Sequence, residues 1–292
     1  MFNMVETFKL FLESSDIWGG AVAAGAITGA VCGFLGVYVV LNRMVFVSAA
    51  LAQISSLGVM LAFWISSHSS AHETHVDDTA ALLLGIGFAV AFSIFLVRAR
   101  ADLQVARVRS SESIIGFAYI VSSAGVVLLG DRVSQGAHDV ANLLFGNAVI
   151  VDGFHLALLA CLTLPFLALH IWLFKDVFFV SYDATTAKTM GYPVRFLQLF
   201  LLLTFGIVIS IATRTIGALP VFAFSTLPAM FALAIFENIY FVFAAATLMG
   251  VLSAVGGYAA SFMLSFPTGA CMSAFGGMAL VAALLAKRLL RR

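Results

Sequence analysis

The chain has 292 residues, of which 62% are hydrophobic and 10% charged, with a net charge of +1 and a mean hydropathy of +1.09. An ordinary soluble domain is about 25% charged, so this composition excludes a water-soluble fold and predicts an all-α, polytopic membrane protein surrounded by lipid. The near-neutral charge, with basic residues scattered in short loops and no basic patch among aromatics, gives no sign of a nucleic-acid partner.

In chain order, residues 1–16, MFNMVETFKLFLESSD, mix polar and apolar side chains without a basic start, a long apolar centre or a small-residue cleavage site. That pattern predicts a short interfacial helix rather than a removable signal peptide. Apolar runs follow at about 17–41, 44–66, 80–98, 113–130, 153–174, 194–215, 217–236, 239–265 and 270–289. A helix needs roughly 20 such residues to cross a hydrocarbon core of about 30 Å, so the chain is expected to form eight or nine transmembrane helices in a single domain over residues 1–292.

In the first span Gly25, Gly29 and Gly33 recur every fourth residue with Gly36 nearby, and the eighth carries Gly250, Ala254, Gly257 and Ser261 in a similar stripe. Such stripes let helix backbones approach closely, because packing holds helices together in lipid. The second span differs: MVFVSAALAQISSLGVMLAF places Ser48, Gln53, Ser55 and Ser56 in an apolar stretch. In the seventh, GALPVFAFSTLPAMFA, Pro220 and Pro228 each remove a backbone donor, and the Ser225 and Thr226 hydroxyls could partly satisfy the freed carbonyls. That segment reads either as a broken helix lining a cavity or as a simple kink. Cys32, Cys161 and Cys271 all lie in apolar runs, an odd and widely spaced set that suits core residues better than a disulfide framework or a metal site.

Nine crossings place the two ends on opposite sides. One side then receives Arg43, Arg98, Arg100, Arg107, Arg109, Lys175, Lys188, Arg195, Lys287, Arg288, Arg291 and Arg292, against Lys9, Arg132 and Arg214 on the other. Because cytoplasmic loops accumulate Lys and Arg, the C-terminus is expected to be cytoplasmic and the N-terminus external. This requires the short turns at Asn42–Arg43 and Arg214–Gly217 to be true reversals. The cytoplasmic side then owns a polar insert, KDVFFVSYDATTAKTMGYPVR, in which Asp183 to Met190 reads as a short helix stopped by Gly191 and Pro193. It contains no nucleophile beside a base and no metal-ligand cluster, so it reads as a docking element.

The order of these features resembles the permease subunit of the ATP-binding-cassette importers for zinc, manganese and iron, from about residue 20 to the last span. GVYVVLNRMVF and AALAQISSLG resemble the entry to that family's second span; ESIIGFAYIVSSAGVVLLG and NLLFGNAV resemble its acidic, Ile-Gly and Leu-Phe-Gly segments. YDATTAKTMGYPV resembles the Asp, Ala and Gly-aliphatic-Pro segment before the sixth span, and GALPVFAFSTLPA the Gly-Ala-Leu and Pro-Ala pair. The resemblance implies a homodimer of permeases in the cell (inner) membrane, two cytosolic ATP-binding subunits beneath it, and an external metal-binding protein. Residues 176–193 become the coupling insert, with Asp183, Ala187, Gly191 and Pro193 meeting the ATPase. No G-x-x-x-x-G-K-[ST] phosphate loop occurs in the chain, so ATP is expected on a partner subunit, and the chain itself is expected to be neither an enzyme nor the holder of a covalent cofactor.

By position, the resemblance makes Ser48, Ala49, Gln53 and Ser56 of the second span, with Ser225 and Thr226 of the seventh, the expected lining of the translocation path. The family usually has an Asp and, one turn later, a His where this chain has Ala49 and Gln53, so its ion ligands do not carry over; Gln53 offers one carbonyl oxygen, which serves either substrate or helix packing. Other candidate metal ligands are His138, Asp139, Asp152 and His155 around LLFG, and the loop HSSAHETHVDD with His68, His72, His75, Glu73, Asp77 and Asp78, which is either a cation-collecting cluster or a solvated loop. HETH is one residue short of the zincin spacing, which excludes that protease class. His170 reads as a packing residue, and Glu112 and Glu237 as surface charges. The expected function is ATP-driven import of a divalent transition metal ion, zinc or manganese first and iron next. The alternatives are the same architecture carrying a metal chelate or a cobalamin-like cargo, or a scaffold or sensor that has lost transport.

Overall fold

A computed structural model of the chain describes residues 15–68, 78–105, 111–133 and 153–290. Among them are eleven helices and no strand: α1 Ser15–Leu41, α2 Val47–His68, α3 Asp78–Val105, α4 Ser111–Gly130, α5 Gly153–Trp172, α6 Phe174–Tyr182, α7 Ala184–Thr189, α8 Val194–Ile216, α9 Ala218–Ile235, α10 Ile239–Leu264 and α11 Thr268–Leu290. Eight of these (α1 to α4 and α8 to α11) are long and apolar enough to cross a membrane, and α5 with α6, bent by 78° at a break between them, is a ninth candidate. The chain is therefore a polytopic all-α membrane protein.

Side-chain neighbours fix the helix directions. Gly25 lies against Ala254 and Gly33 against Ala246, so α1 and α10 run antiparallel. Leu51 lies beside Gly206 and Ser55 bonds Ser210, so α2 and α8 run parallel. Ala24 clusters with Leu159 and Tyr38 meets His170, which makes α5 parallel to α1. Gly257 meets Met272 and Gly276 meets Ser253, which turns α11 against α10. The two short reversals are real. At Arg43, φ is +57 and the chain closes with Arg43 N–H to the Val40 carbonyl and Met44 N–H to the Val39 carbonyl, a Schellman ending. At Gly217, φ is +94, a conformation that glycine adopts without a Cβ penalty.

Alternating directions gather the 42–46 turn, the 174–193 segment, the 236–238 turn and the end of α11 at one end of the bundle, with Arg43, Arg98, Arg100, Lys175, Lys188, Arg195, Lys287 and Arg288. Only Arg132 and Arg214 of the described basic residues sit at the other end. The glycine stripes are where α1 meets its neighbours: Gly29 opposes Gly250 backbone to backbone, and Gly36 opposes the Ser225 carbonyl. Lys287 Nζ donates to the Ala234 carbonyl, satisfying one of the orphan acceptors at the end of α9.

Two expectations change. The segment after the fifth span is two helices, since α6 begins immediately after a bend at Leu173, with Phe174 set against Tyr240 and Phe243 at 5.4 and 4.9 Å. α9 also runs unbroken through both prolines. Pro220 falls in the first turn, where an N–H has no intrahelical acceptor, and Pro228 costs a single bond.

Candidate functional site

α2 is packed on several sides by α3, α4, α8 and α9, and its polar side chains divide into two sets. Ser48, Ser55 and Ser56 are buried. The Ser48 hydroxyl donates to the Val45 carbonyl at 3.1 Å and Ser56 to the Ala52 carbonyl at 2.9 Å, while Ser55 and Ser210 share a 2.5 Å bond that ties α2 to α8. Gln53 instead lies on an otherwise apolar stripe at helical spacing. Phe46 is exposed, Ala49 and Leu57 are partly so, and Gln53 between them keeps 6% exposure. The Gln53 Oε1 is buried with no hydrogen-bond partner among the described residues. Phe46 stacks on Phe222 of α9 at 6.4 Å, and Thr226, one turn on, donates to the Phe222 carbonyl. Ser225 is fully buried, donates to the same carbonyl, and has its own carbonyl against Gly36. Of the six residues expected on the path, Ala49 and Gln53 lie on the partly open stripe of α2, whereas Ser48, Ser56, Ser225 and Thr226 donate to helix backbones.

Acidic side chains stay at helix ends: Glu112 in the first turn of α4, Glu237 in the turn before α10, Asp131 just after α4, Asp176 in the first turn of α6. Among the described residues no three His, Cys, Asp or Glu side chains come together. His170 is buried; its Nδ1 lies 2.8 Å from the Phe166 carbonyl, which assigns the proton to Nδ1, and its ring stacks on Phe200 at 4.7 Å. It joins α5 to α8 as a packing residue. His68 and His155 lie in the terminal turns of α2 and α5, with side chains outside the described residues. His72, His75, Glu73, Asp77, His138, Asp139 and Asp152, with the segment 1–14, fall outside them entirely.

The best-defined local device is α7. Asp183 caps it: one carboxylate oxygen accepts from the Thr185 and Thr186 N–H groups, both at 3.0 Å, and the other from the Thr186 hydroxyl at 2.5 Å. The Thr186 hydroxyl and amide, then the Thr185 amide, hold the Asp183 carboxyl below its ordinary value. The far end closes with Gly191 N–H to the Lys188 carbonyl and Tyr192 N–H to the Ala187 carbonyl, with Gly191 at φ +86. That is a second Schellman motif, and Pro193 follows as the N-cap of α8. Ala187 points inward and is fully buried, while Tyr182, Thr186, Lys188 and Met190 remain exposed. The outcome is a doubly capped, exposed knuckle on the basic end of the bundle. Sequence reasoning located it but missed the interior bonds, such as Ser93 to the Leu202 carbonyl at 3.0 Å, because partners 109 residues apart leave no local signal.

The fold defines a polytopic helical membrane protein that carries a doubly capped, exposed helix at the basic end of its bundle. The chain belongs to the ABC 3 transport family, which it matches over residues 15–287. It is 25% identical over 265 residues to the chelated iron transport system membrane protein YfeD of Yersinia pestis, covering 91% of this chain and 84% of that one. It is 25% identical over 271 residues to the manganese transport system membrane protein MntC of Halalkalibacterium halodurans, covering 92% and 87%. Its fold is similar to a chain in the solved structure of PsaBC from Streptococcus pneumoniae in complex with Fab, with a TM-score of 0.77, 19% identity, and coverage of 94% of this chain and 95% of that chain.

Proposed function

We propose that this chain is the membrane-spanning permease of an ATP-driven importer that moves a divalent transition metal ion inward, zinc or manganese first and iron next. Two copies pair, a cytosolic ATP-binding subunit docks on each α7, and an external metal-binding protein delivers the ion at the opposite end. The observation that carries the reading is the doubly capped α7 on the end of the bundle that collects eight of the described basic residues. Basic residues accumulate on the cytoplasmic side, so that end, the coupling insert 176–193 and the C-terminus lie in the cytoplasm of a cell carrying the protein in its inner membrane. Ala49 and Gln53 line the path, and the partner copy closes the open side of α2. The two global states, inward-facing and outward-facing, are biased by nucleotide on one side and by the loaded binding protein on the other.

The test is co-purification with a candidate ATP-binding subunit expressed alongside it, followed by vanadate-sensitive ATP hydrolysis. Asp183→Lys and Gly191→Trp should abolish both while the permease still inserts; retention of both activities would remove α7 from the coupling role. A second reading, with a metal chelate as cargo, is favoured by one observation: the path side chains named above are uncharged, and a bare cation prefers carboxylate or imidazole. Uptake of radioactive metal with and without its chelator, in a strain lacking the native operon, separates the two.

A further inference from the structure

One face of α2 is pinned, and the face opposite carries Gln53. Ser55 is buried and shares its 2.5 Å bond with Ser210 of α8, which is buried too. One turn earlier Leu51 lies beside Gly206, the residue one turn before Ser210, so the contacts of α2 and α8 repeat in register. Three residues after Ser55, Gly58 lies against the Leu84 carbonyl and Gly85 of α3, and Gly85 in turn lies against the Ser55 hydroxyl. The Ser93 hydroxyl of α3 donates to the Leu202 carbonyl of α8 at 3.0 Å. Leu51, Ser55 and Gly58 therefore share a face that is clasped by two helices already bonded to each other. Gln53, two residues before Ser55, stands about 200° around α2 from it. Ser48 and Ser56 turn back onto their own helix, as a serine in a helix readily does, whereas Ser55 spends its bond on α8.

We propose that Ser210 is a positioning residue for the transport path: through Ser55 it fixes the rotation of α2 and so aims Ala49 and Gln53 at the open side of that helix. The inference rests on the path reading given above. Apolar contact is non-directional, whereas a hydrogen bond has a preferred angle, so the serine pair resists rotation of α2 in a way that Leu51 against Gly206 does not. A side-chain bond between membrane helices is worth only about threefold in a stability constant. Its loss leaves the bundle assembled and changes where one helix points, and groups that hold a ligand depend on such supporting bonds for their aim.

The experiment uses the purified full chain in detergent with Cys161 and Cys271 replaced by Ser, labelled with N-ethylmaleimide; the fully buried Cys32 stays as the control. Single cysteines report the faces of α2, Ala49→Cys on the open stripe and Ala50→Cys and Ala52→Cys on its buried flanks. With Ser210 in place only Ala49→Cys should react. Ser210→Ala should slow that reaction several-fold and open Ala50→Cys or Ala52→Cys while Cys32 stays protected, and Ser210→Thr, which keeps the hydroxyl, should retain the original pattern. An unchanged pattern in Ser210→Ala, or the same shift in Ser210→Thr, overturns the proposal. Labelling of Cys32 together with all three positions overturns it as well, because the serine then holds the bundle together rather than the rotation of one helix. In cells, Ser210→Ala should raise the metal concentration for half-maximal uptake several-fold at unchanged ATP hydrolysis. A shifted pattern with uptake impaired by Gln53→Leu but not by Ser210→Ala overturns the proposal; uptake unchanged in both overturns the path reading on which it rests.

Discussion

The α1–α10 seam offers the sharpest quantitative test. A methyl group added at Gly33 would lie 2.5 Å from the Ala246 carbonyl oxygen and 3.1 Å from its carbon, both backbone atoms that no rotamer change can move. Ordinary contact begins near 3.4 Å, so the two helices must separate by the 0.9 Å between 2.5 and 3.4 Å. A radial gap of 0.5–1 Å forfeits about a quarter to a half of each pairwise dispersion contact along the seam. In lipid no hydrophobic exclusion between helices makes up that loss. Overpacking of this kind costs about 1–3 kcal/mol. Gly87 of α3 is the control, because an added methyl there meets nothing within 4 Å. Gly87→Ala should therefore gain up to about 1 kcal/mol of helix propensity. Unfolding by steric trapping in bicelles, or by SDS titration in mixed micelles, reads both. A Gly33→Ala variant as stable as Gly87→Ala would refute the claim that backbone approach holds α1 to α10.

Three further outcomes follow from the same geometry. Gly191→Ala should destabilise α7 by about 1–2 kcal/mol through its +86 φ alone, since an added methyl there meets nothing within 4 Å; Gly191→Asn should be milder, and ATPase stimulation by the permease reports both. Asp183 has a depressed folded-state pKa, so its cap is fully present above the ordinary carboxylate range and is lost as pH falls through the folded value; the protection of the Thr185 and Thr186 amides relative to their intrinsic exchange rates should fall on acidification, and Asp183→Asn should keep the cap while removing that dependence. Gln53→Leu removes a buried carbonyl oxygen without a described partner, so stability should rise by about 1 kcal/mol while metal uptake falls; unchanged uptake would confine Gln53 to packing.

How far the sequence foretold this structure depends on how local each determinant is. The spans were legible because apolar runs of membrane length can do little else, and the strongest were recovered within a few residues: 194–215 against Val194–Ile216, 239–265 against Ile239–Leu264. α7 was legible because Asp183, Gly191 and Pro193 are signals within one segment of chain. The bend at Leu173 was not, because it depends on Phe174 packing against Tyr240 and Phe243, residues about 70 positions away by simple subtraction of their numbers. The path residues were only half legible. Hydropathy marks Ser48, Ser56 and Ser225 as polar, yet each hydroxyl can turn back onto its own helix, and only neighbours in space decide whether it does. Gln53 cannot reach its own carbonyls so readily, and it is the one left without a partner.

The capped knuckle matters mechanically only if displacement of α7 reaches the spans, and the aromatic side chains supply the contact path. Tyr192, the residue that closes α7, meets Phe179 of α6 edge-on at 5.3 Å. Phe174, at the other end of the short rigid α6, meets Phe243 of α10 at 4.9 Å, and Phe243 meets Phe34 and Tyr38 of α1 at 4.8 and 4.7 Å. His170 then continues from Tyr38 to Phe200 of α8. Rings packed at these separations resist compression, since interiors are close to crystal density. These rings give α7 a contiguous packed route to α1, α8 and α10. Were α7 displaced, that route would meet α1 and α10 where the glycine seam leaves little room to slide apart.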